Sequence, residues 1–198
     1  PRRAADKPRL PADISEEDAL TIRDALFTGL AADTGWFRFS NTRPSTHELA
    51  AYLLRSGVDH AEIYRTIEQC ERVEKLQLTI RALDSLQLLA NGHAAVMVLR
   101  GEDFDETGAL EEETERLIDI PQQVGSIQVI ALVSEKNRAR SQGSDTQPER
   151  PDRITRVSFR SKPGPGAINV AELARQFGGG GHARASGATI EQPIDAVV

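Results

Sequence analysis

The sequence has 198 residues, of which 39% are hydrophobic and 27% are charged, and its formal net charge at pH 7 is −6. This composition is typical of one or two globular domains, and it excludes an intrinsically disordered chain. The acidic balance excludes a protein that coats nucleic acid through overall positive charge, so an anionic ligand would need a local cluster of donors.

Cysteine content and apolar run length narrow the class of protein further. The longest apolar runs, such as residues 94–99, are far shorter than the roughly 20 residues of a membrane-spanning helix, so no membrane partner is expected. The single cysteine, Cys70, excludes an internal disulfide and fits a cytoplasmic location. The basic residues near the N-terminus lead into no apolar segment, so a secretory signal is not expected.

The first third of the chain is predicted to be helical. Apolar residues at helical spacing predict a helix from Ser15, which is spaced as a cap, to about Gly29. Residues 32–44 lack this spacing and predict a loop with a short extended piece. A capping-box pattern at Ser45 opens a second helix, and Asp59 opens a third.

The third helix is predicted to continue, or a helix to re-form, as a long connector up to Gly92. Its apolar side chains are spaced three, four and three residues apart, at Val73, Leu76, Ile80 and Leu83. We place the domain boundary along this connector. The apolar seam could pack on its own domain or on a second copy in a homodimer, and the pattern leaves both open.

The second half of the chain alternates predicted strands and helices. Short β-branched runs or period-two alternation predict strands over 94–99, 127–133 and 153–160. Helical patterns lie between and after them, over 110–118 and 169–177. The predicted fold class is therefore α/β, with a small domain built on a mixed sheet.

A run of four glycines followed by a histidine is the most specific local signal; it comprises Gly178, Gly179, Gly180, Gly181 and His182. Glycines in series weaken helices and strands, so the run indicates close backbone approach or positive φ. Free amides there could cradle an anion, and the histidine could donate to a phosphate. The alternative is a flexible linker, which needs neither the preceding helix nor the histidine.

Three other groups of residues are weaker candidates. Arg160, Ser161 and Lys162 end a predicted strand, where they could clamp a phosphate or be solvated charges. Asp33 lies where a helix meets a loop, so it could bind a hard cation or be a turn residue. The acidic stretch over 102–119 is typical of a solvated surface.

The histidines outside the glycine run carry less information. Asp59 with His60 is predicted to be structural, because the aspartate is already explained as a helix cap. His47 and His93 stay unassigned, since no other ligand-type residue is grouped with them.

Three segments together resemble the DHH phosphoesterase family, in order and spacing: residues 32–42, 157–162 and 177–187. The branch that they resemble contains nano-RNases or oligoribonucleases that also act on 3′-phosphoadenosine 5′-phosphate. The resemblance implies the C-terminal part of a catalytic domain over 1–70, a linker helix over 71–92 and a DHH-associated substrate-binding domain over 93–198.

The resemblance also implies roles for single residues. Asp33 matches a ligand of a two-ion Mn²⁺ or Mg²⁺ site. The matching substrate-binding residues are Arg160, Ser161, Gly178, Gly179, Gly180, Gly181 and His182, with Arg38 and Asn41 in the same cleft.

Departures from the family pattern bear on activity. The Asp-His-His triplet and the other upstream metal motifs are missing, so we expect the chain to begin inside the catalytic domain and to be inactive alone. A long polar stretch over 134–152, predicted to be a loop, replaces a tighter turn of the family.

The predicted function is that of part of a metal-dependent phosphoesterase. Its expected substrates are short oligoribonucleotides or small nucleotide phosphates such as 3′-phosphoadenosine 5′-phosphate and cyclic or linear dinucleotides. The alternatives are a non-catalytic nucleotide- or RNA-binding module and an exopolyphosphatase.

Overall fold

The computed structural model describes residues 16–137 and 153–198. They form two compact units that divide in the sequence between Glu71 and Arg72. The first unit is helical, and the second contains a six-stranded sheet with helices and short 3₁₀ turns. The predicted α/β class with a mixed sheet is confirmed.

The first unit is built from three helices. These are α1 (Glu16–Asp33), α2 (Pro44–Arg55) and α3 (His60–Glu68). They enclose a small apolar core in which Phe27 and Leu53 are almost fully buried. The first helix continues four residues past its predicted end at Gly29, and its predicted cap, Ser15, lies outside the described residues.

The second and third helices begin differently. The Asp59 carboxylate caps α3 as predicted, since it accepts hydrogen bonds from two backbone N–H groups of the first turn. The hydrogen bond from the N–H of Glu62 is the main reason that the pKa of the Asp59 carboxyl lies below its usual range. The hydrogen bond from the N–H of Ala61 acts in the same direction. The predicted cap of α2 was wrong: Ser45 lies inside the helix, and the N–H of Arg43 donates to the Thr46 hydroxyl instead at 3.1 Å.

A left-handed turn follows α1 where a short extended piece was predicted. Gly35, Trp36 and Phe37 have φ values of 53°, 56° and 66°. This conformation is unfavourable for the two aromatic residues. Their rings each pack edge-on against Phe27, with centroids 6.4 Å apart, and this packing holds the turn.

The helix predicted over 71–92 is shorter than expected. A break at residues 69–72 precedes α4 (Val73–Asp84), and the edge strand β1 (Gln87–Leu89) follows. Leu78 and Ala82 are buried in the core of the second unit, so α4 is part of that unit's packing. The predicted seam is on the exposed side of the helix, formed by Val73, Leu76, Ile80 and Leu83.

The sheet of the second unit contains, after β1, the strands β2 (Ala94–Leu99), β3 (Val129–Asn137), β4 (Arg153–Ser161), β5 (Gly180–His182) and β6 (Ala185–Ile190). Their order across the sheet is β1-β2-β3-β4-β6-β5. Strands β2 and β3 are parallel, and every other neighbouring pair is antiparallel. The predicted β2, β3 and β4 are confirmed, whereas β1, β5 and β6 were not predicted.

Apolar cores lie on both faces of the sheet because side chains alternate along each strand. On β3, Ile130 and Leu132 belong to a core that also contains α4. Val133 belongs to the other core, together with α6 (Val170–Arg175), which Asn169 caps. The sheet thus offers an uncovered surface only where one of these cores ends.

Two further predictions in this unit differ from the structure. The helix predicted over 110–118 was wrong: short 3₁₀ turns occupy this stretch, and a helix, α5 (Gly101–Thr107), precedes it. Arg116 has a φ of 69°, which interrupts any helix there. The predicted loop over 134–152 begins later, since β3 continues to Asn137, and residues 138–152 lie outside the described part of the chain.

Within residues 16–137 and 153–198, no helix combines the length and the apolar content that crossing a membrane would require.

Candidate functional site

The second half of the glycine run forms an edge strand rather than a loop. Gly180, Gly181 and His182 make up β5, which pairs antiparallel with β6 across a turn at Ala183 and Arg184. The hairpin holds the histidine at a defined position on the sheet.

The requirement for glycine has different causes along the run. A Cβ atom at Gly179 would lie 2.2 Å from a backbone oxygen of the neighbouring strand, and one at Gly181 would lie 2.7 Å from another. Gly178 has a φ of 72°, the left-handed conformation that commonly follows a helix. The prediction of close approach or positive φ is confirmed at each of these three positions, whereas Gly180 has open space around it.

Arg160 and His182 lie in one row across the sheet. Arg160 is opposite Ala185 in the β4–β6 ladder, and Ala185 is opposite His182 in the β6–β5 ladder. Directly opposite residues point to the same face, so the two side chains start about 10 Å apart, which is two strand spacings. His182 is exposed and Arg160 is half-buried. The fold therefore brings these two predicted phosphate-binding residues together.

The row belongs to a larger surface, which we call the open sheet face. It consists of the outward-facing residues of β4, β6 and β5: Arg156, Ser158, Arg160, Gly180, His182, Ala185, Gly187 and Thr189. The opposite face of the same strands is buried around α6. The open sheet face contains two arginines, a histidine and no carboxylate, so its chemistry favours an anion.

Arg160 has an acidic neighbour in Asp119. Its Nε lies 3.6 Å from Oδ1 of Asp119, and one of its terminal nitrogens donates to the backbone oxygen of Phe159. The side chains of this ion pair are 35% and 49% exposed, and such pairs are weak. A phosphate could therefore displace Asp119 from the guanidinium at little cost.

Ser161 and Lys162 are not placed with the basic residues of the open sheet face. Ser161 is 5% exposed on the opposite face, and its hydroxyl donates to the backbone oxygen of Ile168 at 2.7 Å. The Lys162 ammonium donates to the backbone oxygen of Val124 at 2.5 Å. In this geometry both residues hold neighbouring loops, and a substrate contact from Ser161 stays a prediction.

In the first unit, the structure brings Asp33 and Asn41 together. The Asn41 amide donates to Oδ2 of Asp33 and to its backbone oxygen, both at 3.0 Å. The exposed Arg38 donates through its Nε to the backbone oxygen of Gly35 at 2.7 Å. The left-handed turn after α1 thus places all three predicted residues within one short segment.

A metal site is not complete in the described residues. Asp33 supplies one carboxylate, and one of its oxygens already accepts a hydrogen bond from Asn41. No three His, Cys, Asp or Glu residues in the described part of the chain are grouped closely enough to hold an ion. These residues by themselves do not fit the two-ion site that the resemblance implies.

The remaining ionisable candidates make structural contacts. The ring of His47 stacks on Phe37 at a centroid distance of 5.2 Å, and Nδ1 of His93 lies 3.2 Å from the backbone oxygen of Ser126. Members of the acidic stretch over 102–119 form ion pairs with arginine side chains at the start and near the end of α4. These contacts account for the side-chain positions of the residues, so no ligand is needed to explain them.

Arg156 and Thr189 are members of the open sheet face that the sequence analysis missed. The period-two alternation of β4 could have identified Arg156, because residues 156, 158 and 160 must share one face. No local pattern identified Thr189, because its strand carries small residues without a clear apolar alternation.

Comparison with known proteins assigns the second unit to a domain type. A family model described as the DHHA1 domain matches residues 91–197. The match contains β2 to β6 and therefore the whole open sheet face.

Curated relatives match most of the chain. The bifunctional oligoribonuclease and PAP phosphatase NrnA of Thermus thermophilus is 30% identical over 86% of this chain and 45% of its own length. The protein of the same name from Bacillus subtilis is 28% identical over 84% of this chain and 47% of its own length. The chain thus spans about half the length of the curated relatives it matches.

A solved structure has a similar fold. It is that of an exopolyphosphatase-related protein from Bacteroides fragilis, with a TM-score of 0.73 and 22% identity over 93% of this chain and 48% of that one. At this identity the likeness concerns the fold alone.

Proposed function

Because the chain belongs to the family of proteins with a DHHA1 domain, we propose that it is part of a phosphoesterase that acts on nucleotides. The proposed substrates are short oligoribonucleotides and small nucleotide phosphates such as 3′-phosphoadenosine 5′-phosphate. The observation that carries this proposal is the row of Arg160 and His182 on the open sheet face. The activities after which the curated relatives are named support the substrate class.

In this proposal the two units have different roles. The second unit binds the phosphate of the nucleotide, and the first unit is the C-terminal part of a catalytic domain. The planar guanidinium of Arg160 can donate two parallel hydrogen bonds to phosphate oxygens. The ring of His182 can donate a third from the other end of the row. Ala185 lies between them, and its small side chain leaves space for the anion.

Mn²⁺ or Mg²⁺ is the proposed cofactor, with Asp33 as one ligand. Such ions would activate a water molecule and offset charge on the phosphate. Since one carboxylate cannot hold two ions, we assign no step to a metal on these residues alone. The contribution that we derive for this chain is phosphate binding.

The 198-residue chain alone is expected to be inactive as a hydrolase. A two-ion site needs several ligands, and the resemblance assigns only Asp33 in this chain. The measurement is the release of mononucleotide from an end-labelled diribonucleotide in the presence of Mn²⁺. Hydrolysis above a protein-free control would contradict this prediction.

The binding role is tested by calorimetric titration with 3′-phosphoadenosine 5′-phosphate and a diribonucleotide. The His182→Ala variant is expected to bind both at least about tenfold more weakly, because a donor to the phosphate is lost. His93→Ala is the matched control, since His93 is another exposed histidine of the second unit and lies off the open sheet face. Equal affinity of the His182→Ala and His93→Ala variants would contradict the proposal.

A further inference from the structure

We propose that Arg156 and Lys136 form a second anion-binding subsite, which binds a backbone phosphate of a short RNA beyond the phosphate held by Arg160 and His182. This inference rests on the proposed function, because it extends the same ligand along the open sheet face. It makes the face a site for an oligonucleotide rather than for a single nucleotide.

A groove at one end of the open sheet face is the first observation. It has a volume of about 530 Å³ and is lined by Lys136, Arg156, Thr189, the glycines at 178–180 and Gly187. Glycine at these positions brings the backbone close to the groove without intervening side chains. The groove is large enough to admit a phosphate with an attached sugar.

The charge of the groove is the second observation. Its lining includes two cationic side chains and no carboxylate, although the chain as a whole carries a net charge of −6. The Arg156 guanidinium is exposed and makes no hydrogen bond or ion pair with residues 16–137 or 153–198. The Lys136 ammonium lies 2.8 Å from a carboxylate oxygen of Glu111, so Arg156 is the stronger donor.

The position of the groove relative to the first row is the third observation. Arg156 and Arg160 lie on the same face of β4, four residues apart, so their Cα atoms are separated by about 13 Å. Side chains of a strand stand roughly perpendicular to the sheet, so the two guanidinium groups are placed to bind different phosphates. Ser158 and Gly187, which lie opposite each other between the two arginines, carry only small side chains or none. A single strand of RNA can therefore run along β4 from one arginine to the other.

The proposal predicts that the loss caused by removing Arg156 depends on RNA length. The full chain is titrated with 5′-phosphorylated oligoadenylates of one, two, three and four nucleotides. Arg156→Ala should leave the affinity for the mononucleotide unchanged and weaken binding of the longest RNA by at least about tenfold. It should also reduce the slope of log affinity against log salt for that RNA by about 0.7. Arg156→Lys should recover part of the affinity, because the charge is kept.

The matched control is Arg81→Ala, which removes the same charge from an exposed arginine of the second unit. Arg81 is paired with Glu106 and does not line the groove. If Arg156→Ala and Arg81→Ala bind every RNA equally well, the second subsite is wrong. In that case weaker binding by His182→Ala would still support the proposed function.

Two other outcomes are decisive. Failure of the unsubstituted chain to bind any oligoadenylate would overturn the second subsite and the proposed function together. Linear polyphosphate serves as a second anionic probe. If Arg156→Ala weakens binding of polyphosphate and of no RNA, the groove binds anions but the assignment to RNA is overturned.

Discussion

At the scale of single residues, two neighbouring glycines of the run have different surroundings. Gly179 lies against the backbone of β6, where an added Cβ atom would be only 2.2 Å from an oxygen. Gly180 has no atom within 4 Å of the same added atom, and its φ is not positive. The two positions form a matched pair for substitution.

Gly179→Ala is expected to lower the free energy of unfolding by about 1–3 kcal/mol, because the β5–β6 hairpin must open to admit the methyl group. Gly180→Ala should leave the stability unchanged or raise it by about 0.4–1 kcal/mol, because alanine restricts the unfolded chain. Urea denaturation followed by circular dichroism measures both effects. Equal stability of the two variants would show that the run does not approach β6 as described.

Single residues of the site differ in how far the sequence predicts them. Arg160 and His182 could be identified because each is next to a strong local pattern. Arg160 lies at the end of an alternating strand, and His182 follows the glycine run. Their alignment across β6 could not be predicted, because strand pairing is non-local and Ala185 gives no signal of its own. The ion pair between Arg160 and Asp119 has the same non-local origin.

At the scale of elements, the helix α4 was predicted to be part of a connector and instead packs in the core of the second unit. Leu78 is fully buried, whereas Leu76, two residues earlier, is 62% exposed. The apolar spacing identified the helix correctly, but the more regular apolar stripe is the exposed one. Which stripe is buried depends on the surface against which the helix packs. The sequence of the helix alone does not contain this information.

The packing of α4 predicts a contrast between two leucines. Leu78→Ala should lower the free energy of unfolding by about 2–5 kcal/mol, since it leaves a cavity in the core that also contains Met97 and Leu132. Leu76→Ala should change it by no more than about 0.5 kcal/mol, as is usual on a surface. Urea unfolding of both variants measures the difference. Comparable small losses would place α4 outside the core.

Short elements were the hardest to predict. α5 has seven residues with Phe104 as its only large apolar side chain, so it carries no periodic signal. The apolar residues of 110–118 mimic a helical pattern, but the left-handed Arg116 breaks the backbone there. The pattern left open whether a helix continues or re-forms before Val73, and the structure has a break at residues 69–72.

At the scale of the whole molecule, the distribution of charge limits the kind of ligand. The chain has a net charge of −6, so its average field repels nucleic acid. The cationic groups that would bind phosphate are confined to the open sheet face and the groove beside it. A local cluster in a repelling field favours short anions over long strands, which agrees with the short substrates that we propose.

The division into two units places the only tryptophan of the chain in the first unit. The ring of Trp36 packs against Phe27 and Tyr64, and its Nε1 donates to Glu68 at 2.9 Å. Fluorescence emission from this indole therefore reports the state of the first unit, whereas the peptide signal reports both. If the two signals give different unfolding midpoints in one titration, the chain unfolds in two steps. Trp36 thus serves as an intrinsic fluorescent probe, with which the stability of the first unit can be measured separately from that of the second.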